Sequence, residues 1–211
     1  MNLAIFGLRF KYMTLVRKKN AVLKLFRELD LEISKLAVAS GLSCKPACGD
    51  CCLYPDVHAT ALEFLPFAYN LLIENKAQDY HQLLKSQNSD DKLCILYSPL
   101  QFSRSGGGCT DYSKRGLICR LFGFSAQRKK DDSLSLITCK IIKGMHNEFF
   151  ENESTKLALI RKVPVAANYY SKLSSIDIEL TEYTVPINIA ICQAIEYVMS
   201  YYSYRKKPTV I

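Results

Sequence analysis

The stretch Cys44-Lys45-Pro46-Ala47-Cys48-Gly49-Asp50-Cys51-Cys52 constrains this chain more than any other feature. Thiols two or three residues apart can face one ion when the backbone between them turns tightly. Pro46, with its fixed φ, and Gly49, free to adopt positive φ, are expected to supply that turn. Adjacent side chains tend to diverge, so the Cys51–Cys52 doublet points to two nearby sites, or to one ligand beside a supporting thiol.

Four further thiols follow at Cys94, Cys109, Cys119 and Cys139, so eight of the nine cysteines lie between Cys44 and Cys139. Seven of the nine glycines fall between Gly41 and Gly123, interleaved with them. That texture predicts loops wrapped on a centre. Eight thiols divide into two sets of four, the complement of tetrahedral zinc or of an iron–sulfur cluster. The odd total fits a disulfide framework poorly. The apolar opening Met1–Leu8 is followed by Arg9 and Lys11 instead of being preceded by charge, so no secretory signal is read there. A cytoplasmic, reducing location with free thiols is therefore expected; Met13 offers an alternative start to Met1. Lys45, Lys114, Arg115, Arg120 and Lys140 stand near the thiols in sequence and are expected to offset thiolate charge.

Taken together, Cys44-x-x-x-Cys48-Gly49-x-Cys51-Cys52, Cys109-x-x-Tyr112-x-x-Arg115-x-x-x-Cys119-Arg120 and the later Cys139 resemble the YkgJ-like cysteine-cluster proteins, which carry a zinc- or iron-chelating domain. The family pattern is C-x(2,3)-C-G-x-C-C followed by C-x-x-Y-x-x-R-P-x-x-C-R, and the resemblance spans residues 40–143. Gly116 replaces the usual proline. A related domain occurs in the flagellin lysine N-methyltransferase, which is associated with an iron–sulfur cluster. The resemblance implies metal chelation, by zinc or an iron–sulfur cluster. An iron–sulfur oxidoreductase or a protein-modification enzyme is the alternative.

Periodicity supplies the frame. Val22, Leu25, Phe26, Leu29, Ile33, Leu36 and Ala37 predict one long amphipathic helix over 14–40, ended by Gly41. Thr60 and Glu63 form a capping-box pair opening a helix toward Leu72, which Pro66 would break or kink. A helix is expected over 77–86, then a polar loop over 86–91. Arg120–Gln127 and Leu134–Thr138 read as strands joined by the polar turn 128–132, a hairpin bringing Cys119 beside Cys139. Helical pattern resumes in segments near 145–151, 155–161 and 164–174. Pro186 begins a last helix burying Ile187, Ile191, Ala194, Ile195, Val198 and Tyr202. The expected class is α+β, mostly α, with helices around a loop-rich cysteine centre and a short β-hairpin. Residues 1–211 are expected to form one domain, in which 40–143 is the metal-binding region.

Other chemistry finds little support. No apolar run approaches a membrane span. Gly106-Gly107-Gly108 lacks the Lys-Ser/Thr of a phosphate loop and reads as a turn into Cys109. The Cys44-x-x-x-Cys48-x-x-Cys51 spacing occurs in radical S-adenosylmethionine enzymes, but the chain is short for their barrel. Cys192 reads as a core thiol. Among the histidines His58 is favoured over His81 and His146 as an extra ligand. The basic runs 17–19, 128–130 and 205–207 permit phosphate contacts but are scattered, so nucleic acid is not the expected partner. The expected metal set is Cys44, Cys48, Cys51, Cys52, Cys94, Cys109, Cys119 and Cys139.

Overall fold

The computed structural model of the protein describes residues 13–44, 48–54, 56–87, 93–99, 107–147, 151 and 163–208. Helix α1 runs Leu15–Ser40, and both of its ends follow from local chemistry. The Thr14 side chain accepts the Arg17 N–H, and Gly41 adopts φ 70°, donating its N–H back to the Ala37 carbonyl. A left-handed cap of this kind suits a residue without Cβ. Val22, Leu25, Phe26, Leu29 and Leu36 are buried along one stripe, as the spacing predicts.

The capping box forms as expected, but it opens a 3₁₀ turn, Ala61–Phe64, before the chain becomes α-helical. Helix α2 (Leu65–Ile73) carries Pro66 in its first turn, where a missing N–H costs nothing. The expected break is thus a change of helix type. Helix α3 spans Ala77–Ser86, as predicted. Among the described residues three two-stranded antiparallel pairs form: β1 (His58–Ala59) with the distant β6 (Val185–Pro186), β2 (Tyr97–Ser98) with β3 (Gly108–Cys109), and the local hairpin of β4 (Ser125–Arg128) with β5 (Leu134–Ile137). Helices α4 (Leu117–Leu121), α5 (Lys140–Met145), α6 (Ala166–Ser174) and α7 (Ile187–Ser203) follow among the described residues.

Two expectations are corrected. The first hairpin strand starts at Ser125, not Arg120, because Leu117–Leu121 is helical and buries Leu117 and Leu121. Helical structure returns at Lys140, ahead of the expected segment near 145, with the Cys139 sulfur accepting the Ile142 N–H. Most of the segments expected at 145–151 and 155–161, like Met1, Pro46, Gly106 and most of the 86–91 loop, lie outside the described residues.

Among the described residues the protein is mostly helical with only these small strand pairs, and no described helix is long and apolar enough to cross a membrane. Among the described residues the buried side chains form a large cluster and a small one. The large cluster joins α1, α2, α4, α6 and α7 and includes Cys52, Cys94 and Cys192. The small one gathers Leu36, Leu42, Ala126, Ile142 and Val163, with Cys44 and Cys139 packed on it.

Candidate metal centre

The cysteine motif folds as a tight 3₁₀ turn over Asp50–Cys52, closed by the Cys52 N–H bonding the Gly49 carbonyl at 2.8 Å. Gly49 has φ −108°, so positive φ is not its role. It is needed for closeness: a Cβ there would stand 2.8 Å from the Tyr97 ring and 3.0 Å from the Gly107 carbonyl oxygen. The positive φ belongs to Gly107, at 96°, which brings the chain into β3 and Cys109. The Cys94 N–H bonds the Cys52 carbonyl, while Thr110 N–H bonds Leu96, and so three separate stretches meet.

Six thiols line one cavity of about 20 Å³: Cys48, Cys51, Cys52, Cys94, Cys109 and Cys119, walled by Phe64, Leu96 and Ile187 and flanked by Tyr112 and Arg115. That volume holds a body the size of one water or ion, not a substrate. Cys52 is the hub, in hydrogen-bonding contact with Cys109, Cys51 and Cys94. Those contacts push its own thiol far up, while Cys94 and Cys109 are lowered chiefly through their bonds to it. Cys51 is lowered to about 7, first by its bond with Cys52 and then, against burial, by the Arg115 charge. Burial raises Cys119 well above the ordinary thiol range.

Cys44 belongs to a second group. Its thiol is pushed up to about 12 by burial, then by Cys48 and Cys139. Past the hairpin, Cys139 lies beside Cys44, both packed on the small buried cluster. Cys119 sits in α4, before the strand begins, and the thiols whose charge acts on it are Cys94, Cys51 and Cys109. Cys48 and Cys51 adjoin both groups.

Of the cations expected to offset thiolate charge, Arg115 acts on Cys51, with its guanidinium stacked 3.9 Å from the Tyr112 ring centroid. Arg120 is spent elsewhere, on Asp30 and on the carbonyls of Ser113 and Arg115. Lys114 pairs with Asp111 and Glu74, Lys140 is exposed and Lys45 lies outside the described residues.

Two supports escape sequence reasoning as site residues. Glu63, fully buried, accepts Thr60 N–H at 2.9 Å and Ile118 N–H at 2.8 Å, fixing the start of α4 and hence Cys119. Its capping box was legible, but its reach to Ile118 was not. Asn188, in the first turn of α7, accepts the Ile95 N–H and donates to the Leu93 carbonyl, gripping the chain on both sides of Cys94. No local pattern marks it. His58 is exposed, its Nδ1 3.1 Å from the Asp56 carbonyl, and takes no part in lining the cavity. Cys192 is buried, as expected.

A family model described as "putative zinc- or iron-chelating domain", with the pattern CxxCxxCC, matches residues 43–151, just over half of the chain. The first gap here holds three residues where that pattern has two. No curated protein and no solved structure matches the chain.

Proposed function

The chain belongs to the CxxCxxCC family of zinc- or iron-chelating domains, and from that premise we propose that it chelates metal through two adjoining thiolate groups. One group centres on Cys52, Cys94, Cys109 and Cys119, the other on Cys44, Cys48 and Cys139, with Cys51 between them. The observation carrying this reading is that the groups acting on these thiols are largely other thiols, drawn from five separate stretches of chain, six of them lining one cavity. Thiolates so close repel one another, and a cation among them relieves that repulsion.

An all-sulfur donor set suits zinc and iron–sulfur chemistry alike, while a cavity sized for one ion favours a single ion. When bound, zinc would cross-link the loops, and an iron–sulfur cluster would add an electron-accepting centre. The chain's own residues shape the pocket: Phe64, Leu96 and Ile187 exclude water, and Arg115 offsets the thiolate charge. A cavity of about 20 Å³ beside the thiols favours a closed chelating centre over an enzyme with a substrate pocket. This reading takes residues 1–211 as one unit in a reducing compartment.

Metal analysis and an absorption spectrum of anaerobically purified protein test the proposal. Broad visible absorption identifies an iron–sulfur cluster, and colourless protein holding zinc identifies the structural alternative. Cys94→Ser should empty the first group and spare the second, with Cys139→Ser doing the reverse. Protein devoid of metal would sink the chelation reading, and single substitutions that empty both groups would sink the division into two.

A further inference from the structure

Cys192, outside the Cys44–Cys139 series, has two ligand-bearing neighbours. On α7 it precedes Glu196 by four residues, so both lie on one face. That face meets α3, where His81 Nε2 lies 3.0 Å from Glu196 Oε1. The Cys192 thiol donates to the same oxygen at 3.8 Å. Among the described residues this is the one trio of histidine, cysteine and acidic side chains whose ligand atoms all lie within 4.8 Å of one another.

We propose that His81, Cys192 and Glu196 form a separate site for a single transition-metal ion of the zinc type, pinning α3 to α7. The donors are an imidazole nitrogen, a thiolate and a carboxylate, each a zinc ligand, and three protein ligands leave a fourth position for water. Cys192 is 7% exposed while the His81 and Glu196 side chains are 23% and 43% exposed. Sulfur thus lies beneath the site, and the open side faces solvent.

The Lys85 ammonium sits 2.8 Å from Glu196 Oε1, and its side chain is 59% exposed and able to swing away. Lys85 and His81 hold the Glu196 carboxyl below its ordinary range. Ligation by the Cys192 thiol requires the thiolate, so metal uptake there releases a proton to solvent.

The test compares native protein with Cys192→Ser, His81→Ala and Glu196→Gln after loading with zinc(II) and removing loosely held ion. Elemental analysis should find about one equivalent fewer in each variant than in the native protein. Lys85→Ala, which removes the competing ammonium, should bind that equivalent severalfold more tightly. If the Cys44–Cys139 thiols hold no metal at all, the native protein still retains one equivalent and the variants none, which separates this proposal from the one above. Glu196→Gln keeps the side-chain shape and guards against a folding artefact. Equal zinc content in native protein and all three variants, or weaker binding in Lys85→Ala, overturns the site.

Discussion

Arg120, which follows Cys119, forms its ion pair with Asp30 of α1, 90 positions earlier in the chain. The same guanidinium donates to the Ser113 carbonyl at 2.7 Å and the Arg115 carbonyl at 3.2 Å, and lies 4.6 Å from the Phe26 ring centroid. One planar fork therefore ties the loop between Cys109 and Cys119 to the longest helix. An ammonium cannot reproduce three divergent bonds and a stacked face. Arg120→Lys should cost roughly 2 kcal/mol in denaturant unfolding, and a variant as stable as the native protein would refute this role.

Glu63 makes stability pH-dependent. Burial, the largest influence, pushes its carboxyl up to about 7, although the N–H groups of Thr60 and Ile118 pull the other way. The folded protein thus holds this proton more tightly than the unfolded chain does. Its contribution is complete below the ordinary value of 4.5 and is lost as pH rises through about 7. Between those values the slope approaches about 1.4 kcal/mol per pH unit. Unfolding free energies across that window should fall with rising pH more steeply for native protein than for Glu63→Gln. Parallel profiles would show that Glu63 is not the group responsible.

Gly107 should tolerate no side chain. At φ 96°, a Cβ there would stand 2.5 Å from the Tyr97 hydroxyl and 2.8 Å from the Ser98 carbonyl oxygen. Gly107→Ala should destabilise by roughly 1–3 kcal/mol and displace Cys109 from Cys52. Reduced metal retention with helical circular dichroism preserved is the expected signature.

Lys18 and Asp177 are both buried and ion-paired, and Lys18 also donates to the Tyr197 hydroxyl at 2.9 Å. Asp177→Ala leaves the ammonium without its counter-charge and should cost roughly 3–5 kcal/mol. Replacing both partners, as Lys18→Met with Asp177→Leu, should recover most of that loss. Chemical denaturation of the three proteins checks the pair, and a single variant no worse than the double would contradict it.

Much of the architecture could be read locally. Apolar spacing predicts α1 and α7 because a helix records its buried face every three or four residues. Thr60, Glu63 and Gly41 announce helix ends because capping is satisfied within one turn. The strand expected from Arg120 failed because its apolar residues also serve a short helix, and only packing of Leu117 and Leu121 into the core decides between them.

Residue types and spacing alone determined that this chain carries metal-ligating chemistry and a mostly helical frame. Tertiary structure alone decided which thiols are neighbours: Cys139 with Cys44, and Cys119 with Cys94 and Cys109. Spacing limits how far a thiol can reach along its own segment. The meeting of segments is set by long-range contacts such as Arg120 with Asp30, Glu63 with Ile118 and Asn188 with the chain around Cys94, whose partners no local pattern encodes.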